Sequence, residues 1–380
     1  MNSFAAPPAR TPSRAENLVS SFTTVGYAFV QPPVLQPAEP FLDLSGEDIR
    51  KSLFLTSDAS GDELCLRPDL TIPVARAYLA SPGAGQPQGF CYLGPVFRQR
   101  AGKPSEFMQA GIESFGRKDH AAADAEMLAL ARDAAAAVGV DDVEIRTGDV
   151  GLFMALIEAL DLYPVWQRRL IKDFNRKRTL AQDLEDVTLA HGNGAGEYEG
   201  VLAALAGSDR KAALALVSDL ISIAGATNLS GRTNAEIADR FLEQSTMAGG
   251  PLPRETITAI ERYLAISGEP DAAVAQLRAL ARDAKLDITR EIDLLETRIG
   301  FMAARGLDIP SIRFATAFGR GVDYYTGFEF ELHASGNGAE PLVAGGRYDG
   351  LLTRLGSATP IPAVGFSVWI DALALPESRA

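Results

Sequence analysis

The spacing of apolar residues changes twice along this chain, and that change limits the folds it can adopt. Before about residue 149 and again after about residue 312, apolar and polar residues alternate as they do in β-strands. Between these regions the apolar residues recur at helical spacing, as in Leu152, Leu156 and Leu160. Strands on both sides of a long helical block predict one α+β core that the block interrupts. We therefore expect residues 1–149 and 310–380 to form the core, and residues 150–309 to form a mainly helical insertion.

The composition indicates a globular protein whose main partner is not a nucleic acid. Hydrophobic residues make up 47% of the 380 residues, enough to bury a sizeable core. Asp and Glu number 49 against 36 Lys and Arg, so the net charge of −13 disfavours contact with many phosphates. No apolar run approaches the roughly 18 residues that span a bilayer, and residues 1–14 lack the apolar centre of a secretory signal. We expect a cytoplasmic protein with a frayed N-terminal tail and no membrane partner.

Cysteine and histidine usage gives no sign of a metal or redox centre. Cys65 and Cys91 lie in separate apolar runs, without the paired spacing of metal ligands. We expect both to be buried, reduced thiols, as is usual in the cytoplasm. The histidines, His120, His191 and His333, are too scattered to suggest a zinc site, so we expect neither a metal nor a cofactor.

Local patterns predict the elements on either side of the helical block. A capping box at residues 13–16 begins a helix that Gly26 ends, and the proline pair at residues 32–33 confines the next extended segment to an edge or an interface. The patterns predict strands at residues 53–56, 63–67, 90–98, 107–116, 143–147, 312–318 and 323–334. They predict helices at residues 69–81, 119–138 and 364–373, with a further helix opening at residues 345–349.

The strand at residues 107–116 carries two polar residues that could serve a binding site. Because side chains alternate across a strand, Phe107, Gln109, Gly111, Glu113 and Phe115 share one face. Gln109 and Glu113 therefore point the same way, beside two aromatic rings. On the residues alone, a solvated strand edge explains this pair at least as well as a binding site does.

Several segments, taken in order, resemble the core of histidyl-tRNA synthetases, which belong to the class II synthetases. Residues 22–35 are similar to motif 1, the dimer-forming element, and residues 66–71 resemble the family's LRPE-x-T segment. Residues 92–98 and 107–116 resemble the strands of motif 2, and residues 319–327 resemble the histidine-specific RG-x-DYY signature. Residues 345–351 and 363–366 resemble the approach to motif 3. The resemblance covers residues 16–149 and 312–373, and it implies an antiparallel sheet flanked by helices.

The resemblance also implies a histidine-binding site. The residues it assigns to that site are Asp69, Thr71, Gln109, Glu113, Arg320, Tyr324 and Tyr325. Glu113 and Gln109 would contact the imidazole ring, where a carboxylate favours the charged form. Asp69, which replaces a glutamate of the family, would bind the α-ammonium group beside Thr71. Arg320 would pair with the carboxylate, and the two tyrosines would complete the imidazole pocket.

Simpler interpretations of the same residues stay open on the sequence alone. Asp69 could do no more than cap the helix that follows it. Arg320 could pair with a surface acid. Tyr324 and Tyr325 are neighbours in a predicted strand, so one of them should pack away from a ligand. Arg347, next to two glycines, could bind an anion or act as an ion-pair partner in a tight turn.

The nucleotide half of the synthetase site departs from the family pattern. Arg100 stands where the family has a glutamate that accepts from the adenine amino group, and the motif 2 loop is shorter. Ala372 stands where the family has an arginine that clamps the triphosphate, and losing one such group costs about 10²–10³ in rate. Arg98 is then either a vestigial phosphate contact or a structural bridge to a carboxylate. These departures predict no catalytic residues and no aminoacyl-adenylate formation, and we expect no anticodon-binding domain after residue 373.

A histidine pocket without ATP chemistry resembles the regulatory subunits of ATP phosphoribosyltransferase. That resemblance implies a non-catalytic protein that binds L-histidine and inhibits a short catalytic subunit, which also needs it for activity in the first step of histidine biosynthesis. It implies a homodimer within a hetero-oligomer, with no tRNA as partner. Two other hypotheses stay open: a free-standing synthetase-like enzyme that activates histidine or another amino acid for a non-tRNA acceptor, and a scaffold with a vestigial pocket.

Overall fold

The computed structural model describes residues 14–44, 49, 51–174, 180, 252–322, 324–335 and 340–370. The chain forms two compact units, one from residues 1–155 and 263–380 and the other from residues 156–262. The expectations for the N-terminal tail and for Ala372 lie outside the described residues, as does the middle of the predicted helical block. The domain bounds given above stay predictions.

The first unit contains a large sheet and a small one. The described strands are β1 Ala28–Phe29, β2 Leu35–Pro37, β3 Leu55–Ser57, β4 Glu63–Leu66, β5 Gln88–Phe97, β6 Glu106–Phe115, β7 Val143–Asp149, β8 Ser267–Gly268, β9 Arg313–Ala315, β10 Phe328–Ala334, β11 Val343–Arg347 and β12 Ala363–Trp369. Nine of them form the large sheet in the order β1-β5-β6-β12-β11-β10-β7-β9-β8, and β2-β4-β3 form the small one. The pairs β1–β5 and β7–β9 are parallel and the others are antiparallel, which confirms the predicted α+β class.

The long hairpin of β5 and β6 carries the residues predicted to face a ligand. Gln88 pairs with Phe115 and Phe97 pairs with Glu106, so the ten residues of each strand are in register. The shorter predicted hairpin forms between β3 and β4, and β1 lies at the edge of the large sheet, as the proline pair predicts. Cys65 and Cys91 are buried and form no disulfide, which confirms their predicted burial.

Several helices of the first unit pack against the large sheet. The described helices of the two units together are α1 Arg14–Thr24, α2 Glu39–Leu44, α3 Thr71–Leu79, α4 His120–Ala137, α5 Val150–Ala159, α6 Pro164–Phe174, α7 Arg254–Leu264, α8 Pro270–Ala284, α9 Thr289–Ala304 and α10 Leu351–Arg354, with one turn of 3₁₀-helix at Ile309–Ser311. The alanine-rich α4 packs against α9 and against β11 and β12, because its small side chains let the sheet approach closely. Within the described part of the chain, no helix is both long and apolar enough to cross a membrane.

A buried cluster of charges joins α4 and α9 to the large sheet. Asp124 of α4 accepts from Arg298 Nε of α9 and from Arg347 Nε of β11, both at 2.8 Å. Arg298 also donates to Asp149, and Arg347 to Asp349, at 2.8 and 2.9 Å. Asp124 and Arg298 are 0 and 1% exposed. Because each buried charge has a partner, the cluster can hold α4 and α9 in place.

Two sequence-based predictions of helix are wrong near the end of the chain. The predicted helix at residues 364–373 is strand β12 over Ala363–Trp369, since a strand buried on both faces has a continuous apolar run, like a helix. The predicted helix opening at residues 345–349 is wrong in part, because Gly345 and Gly346 lie inside β11 and the helix begins at Leu351. A Cβ on Gly345 would overlap the carbonyl oxygen of Gly365, so these glycines permit close approach of β12.

Candidate functional site

Small residues open a cavity above the centre of the large sheet. In one row across four strands, Glu329 of β10 lies opposite Gly346, Gly346 opposite Gly365, and Gly365 opposite Glu113 of β6. A Cβ on Gly365 would overlap the Glu113 carboxylate, so only glycine leaves that side chain its place. The cavity contains about 490 Å³ of empty space, including its open mouth.

The seven residues assigned to the site from the sequence all line this cavity, together with Arg98. The lining residues are Ile49, Asp69, Thr71, Arg98, Gln109, Glu113, Arg320, Val322, Tyr324, Tyr325, Ala344, Tyr348, Gly365, Phe366, Ser367 and Trp369. Most of them come from β6 and the residue after β5, from the turn before α3 and its start, from the segment before β10, and from β11 and β12. Segments far apart in sequence therefore meet at one place.

Glu113 is a buried carboxyl group held by hydroxyl donors. It is 1% exposed, and it accepts from Tyr92 Oη at 3.2 Å and from Tyr348 Oη. Burial raises the pKa of Glu113 to about 8, although hydrogen bonds from Tyr348, Thr71 and Tyr92 pull it down. The interpretation of Glu113 as a solvated edge residue is therefore wrong. A cationic ring against this carboxyl group would favour its ionised form.

Gln109 is also buried, at 1% exposure, and it fixes the turn that precedes α3. Its Oε1 accepts from the main-chain N–H of Leu70 at 3.1 Å, immediately after Asp69. The interpretation of Gln109 as an exposed edge residue is wrong for the same reason as for Glu113. Gln109 thus ties the strand that bears Glu113 to the segment that bears Asp69.

Asp69 caps α3 with one oxygen and keeps the other free. Its Oδ1 accepts from the main-chain N–H of Ile72 at 3.1 Å, as the capping interpretation predicts. Its Oδ2 is buried and has no hydrogen-bond partner among the described residues. Burial raises the pKa of Asp69, against the opposing effect of the Arg98 guanidinium. A buried carboxylate oxygen without a partner is costly, and an ammonium group would satisfy it.

Arg320 and the two tyrosines form the opposite wall of the cavity. Arg320 donates from Nε to Glu331 and from Nη1 to Tyr325 Oη, both at 3.0 Å. The Tyr324 and Tyr325 rings lie 5.1 Å apart and both line the cavity, so the prediction that one packs away is wrong. The reason is that both residues precede β10, which begins at Phe328, so strand alternation does not apply to them.

Relatives of known name share most of this chain. A family model described as histidyl-tRNA synthetase matches residues 9–221 and 212–373. Proteins from Brucella canis, Brucella suis and Brucella melitensis biotype 2 named ATP phosphoribosyltransferase regulatory subunit are each 39% identical over 351 residues, 90% of this chain and 92% of theirs. The chain belongs to the ATP phosphoribosyltransferase regulatory subunit family. This confirms the family that the motifs indicate.

Solved structures confirm the class II synthetase-like fold of this family member. An ATP phosphoribosyltransferase regulatory subunit/histidyl-tRNA synthetase from Bacillus halodurans has a TM-score of 0.68 at 22% identity, covering 98% of this chain and 83% of its own. A histidyl-tRNA synthetase from Nostoc sp. PCC 7120 has a TM-score of 0.61 at 19% identity, covering 98% and 75%. At such identities the likeness concerns the fold alone.

In this regulatory subunit family member, a second cavity adjoins the first and shares Arg98, Arg320 and Trp369 with it. Arg98 donates from Nε to the Pro68 carbonyl oxygen at 2.7 Å, and this hydrogen bond stabilises the segment before Asp69. The acceptor is a carbonyl oxygen rather than the expected carboxylate. The Arg100 guanidinium lies 3.9 Å from the centre of the Phe107 ring. Arg347, by contrast, is an ion-pair partner as one interpretation predicted, but within a strand rather than a turn.

Sequence reasoning missed the hydroxyl groups that hold Glu113. Tyr92 lies on β5 next to β6, and its Oη contacts both Glu113 and Ser367 Oγ, the latter at 2.9 Å. Tyr348 follows β11 and lies in residues 345–349, where the sequence predicts the opening of a helix. The registers of β11 with β12 and of β12 with β6 place Gly346 in one row with Glu113, and Tyr348, two residues beyond Gly346, reaches Glu113 diagonally.

Proposed function

We propose that this chain is the non-catalytic, histidine-sensing subunit of an ATP phosphoribosyltransferase. The observation that supports it most is the gathering of Asp69, Glu113 and Arg320 around one cavity, with a buried oxygen of Asp69 still lacking a partner. Two carboxyl groups and one guanidinium group match the α-ammonium, imidazole and carboxylate of histidine. The names of the relatives give the enzyme that it would regulate.

Charge complementarity favours a ligand that is cationic at two points. Burial raises the pKa of both Asp69 and Glu113, and Asp69 raises the pKa of Glu113 further. An α-ammonium group beside Asp69 and an imidazolium ring beside Glu113 would lower both pKa values. Arg320, at the opposite wall, would receive the ligand carboxylate. A ligand without the ammonium group would leave the buried Oδ2 of Asp69 without a partner.

The proposed partner is a short catalytic subunit that needs this chain for activity and that bound histidine inhibits. Such inhibition is a coupling free energy between two sites, typically about 1–3 kcal/mol, and it is reciprocal. Substrates of the catalytic subunit should therefore change the histidine affinity of this chain. No residue of this chain would carry out chemistry in the complex.

Co-purification with a short catalytic subunit tests the proposal directly. We expect a stable complex whose phosphoribosyltransferase activity exceeds that of the catalytic subunit alone and falls when histidine is added. Titration calorimetry on the same complex should give saturable heat below millimolar histidine. A complex without saturable heat would contradict histidine sensing, whereas failure to form a complex would contradict the regulatory role.

The second cavity favours one alternative, a synthetase-like enzyme that activates histidine or another amino acid for a non-tRNA acceptor. The basic residues that line this cavity are Arg98, Arg100, Lys103 and Arg320, and such a lining suits phosphates. Arg100, however, donates to the Pro104 carbonyl oxygen and Lys103 pairs with Glu340, so both cations already have partners. Histidine-dependent exchange of pyrophosphate into ATP would support the enzyme, and its absence would remove it.

We also propose that the chain forms a homodimer through its exposed apolar edge. The apolar residues exposed near β1, β2 and β3 are Val25, Phe29, Val34, Leu35 and Leu55. Four of them, Val25, Phe29, Val34 and Leu35, fall within residues 22–35, the segment that resembles motif 1, and exposed apolar groups in such a segment favour association. The catalytic subunit would then bind elsewhere on the dimer.

Phe29→Asp is expected to convert the dimer to monomers at micromolar concentration, because a charge would be buried without a partner in the interface. Sedimentation velocity measures the mass of the two species. Phe301→Asp is the matched control, since Phe301 is similarly exposed but lies on α9, which packs against α4 and α8. A dimer that survives Phe29→Asp, or one that Phe301→Asp disrupts equally, would contradict the proposed edge.

A further inference from the structure

We propose that Glu329 is a positioning residue that fixes Arg320 in the orientation that recognises the α-carboxylate of the bound amino acid. The inference rests on the proposed function and deepens it, because it names what would make the pocket prefer a free amino acid to the corresponding amine. Glu329 is not among the residues that line the cavity, so it would act through Arg320.

The segment that carries Arg320 has little regular structure of its own. It lies between β9 and β10, and Arg320 stands between Gly319 and Gly321, the latter with φ +64°. Glycines on both sides give this backbone more freedom than any other residues would. Something outside the segment must therefore hold Arg320 in one place if it is to bind a carboxylate with a defined geometry.

Strand β10 supplies the hydrogen bonds that hold Arg320. Glu329 Oε2 accepts from the main-chain N–H of Arg320 at 3.0 Å, and Glu331 Oε1 accepts from Arg320 Nε at 3.0 Å. Glu329 and Glu331 are two positions apart on one strand, so both point to the same face. Opposite them on β11 are Gly346 and Ala344, whose small size leaves room for these contacts. One glutamate thus fixes the backbone and the other fixes the side chain.

The burial of Glu329 lowers the stability of the folded chain. It is 0% exposed, and its Oε1 has no hydrogen-bond partner among the described residues. Burial raises the pKa of Glu329 to about 8, against the opposing effect of Arg320. An apolar residue at position 329 would be buried without that cost. Phe328 and Phe330, on the opposite face of β10, are buried in this way. A buried group that lowers stability is typical of a functional site.

The arrangement leaves one amino group of Arg320 available to a ligand. Nε and Nη1 are engaged by Glu331 and Tyr325, whereas no hydrogen bond engages Nη2 within the described ranges. The Arg320 side chain is 12% exposed and lines the cavity. Because a guanidinium group binds a carboxylate through a planar fork, its orientation decides the strength of the contact. Release of the Arg320 backbone would therefore weaken that contact without removing any charge from the pocket.

A double-mutant cycle in the full chain tests the inference, with L-histidine binding measured by titration calorimetry. Glu329→Leu is expected to weaken binding about tenfold, as for one charge-assisted hydrogen bond that loses its alignment. Glu329→Gln keeps an amide oxygen for the Arg320 N–H, so its loss should be smaller. In an Arg320→Met background, Glu329→Leu should cause no further loss, because Glu329 acts through Arg320.

Ligand-free stability provides the second readout of the same variants. Glu329→Leu should unfold at the same temperature as the wild type or higher, and Glu144→Gln, on the neighbouring β7, should change neither stability nor affinity. Additive losses in the double variant, or a fall in stability that parallels the loss of affinity, would overturn the positioning role alone. A wild-type chain that binds no histidine would overturn the proposed function as well, so the two failures are distinguishable.

Discussion

Glu113→Gln is expected to weaken L-histidine binding about 10- to 100-fold while leaving activation of the catalytic subunit nearly unchanged. Glutamine has nearly the same shape and still accepts a hydrogen bond, but it carries no charge for an imidazolium ring. A hydrogen bond to a charged group contributes about 1.5–3 kcal/mol, which corresponds to that range. Activation should persist because Glu113 is buried and its contacts lie within one subunit.

The measurement compares histidine inhibition with basal activity in the assembled complex. The histidine concentration that halves activity should rise in Glu113→Gln, whereas the rate without histidine should stay close to that of the wild type. Glu106→Gln is the matched control, since Glu106 lies on the same strand but is exposed at its start. Equal loss of inhibition and of activation would show that Glu113 matters for assembly rather than for sensing.

The pH dependence of stability should also differ between Glu113→Gln and the wild type. The pKa of Glu113 is raised to about 8 from its ordinary value of 4.5. Between these values the folded protein keeps a proton that the unfolded chain releases, so stability falls as pH rises, by up to about 1.4 kcal/mol per pH unit. Glutamine does not titrate, so ligand-free Glu113→Gln should lose less stability than the wild type from pH 5 to pH 8 in urea unfolding. Equal slopes would contradict a buried, protonated Glu113.

The sequence predicted the parts of the fold in which local pattern and tertiary environment agree. The β5–β6 hairpin and α4 follow their patterns closely, because Gln109 and Glu113 alternate with apolar residues along β6 and the helix is rich in a strong helix former. Strand β12 was mistaken for a helix because its first four residues, Ala363 to Phe366, are all buried, which hides the alternation. The glycines of β11 were mistaken for a helix start because their role, close approach of strands, depends on a partner strand that the sequence does not reveal.

The candidate site was predicted residue by residue from motifs rather than from physical pattern. The segments that carry Asp69, Glu113 and Arg320 are distant in sequence, and only the sheet brings them together. The residues that support the site, Tyr348 and Glu329, were not predicted, because their contacts depend on strand pairing. Tyr348 donates to Glu113 across β12, and Glu329 accepts from the main-chain N–H of Arg320. Motif resemblance therefore gave the groups expected to touch a ligand, whereas the groups that hold them required the structure.

The buried charge cluster and the cavity are linked through neighbouring residues of β11 and the turn after it. Arg347 and Asp349 belong to the cluster, and Tyr348 between them donates to Glu113 in the cavity. Thr326, in the segment after the two cavity tyrosines, donates through its main-chain N–H to the Arg347 carbonyl oxygen at 2.9 Å. A disturbance of the cluster should therefore reach the cavity as well as the packing of the helices.

Asp124→Asn is expected to lower the free energy of unfolding by about 3–5 kcal/mol, because it removes the shared charge from two buried guanidinium groups. One end of an asparagine amide is a donor, and it would face a donor of Arg298 or Arg347. Arg298 keeps Asp149 and Arg347 keeps Asp349, so the chain should still fold. Urea unfolding followed by circular dichroism measures the change.

Asp293→Asn is the matched control, because it makes the same chemical change in an exposed ion pair on α9. Asp293 is 57% exposed and accepts from Arg278 at 2.7 Å, and such a pair contributes about 0–1 kcal/mol. Because Tyr348 is held between Arg347 and Asp349, Asp124→Asn should also weaken histidine binding, whereas Asp293→Asn should not. If the two variants lose the same small amount of stability, the cluster does not hold α4 and α9 to the sheet. If Asp124→Asn loses stability with no change in affinity, the cluster supports the fold but not the cavity.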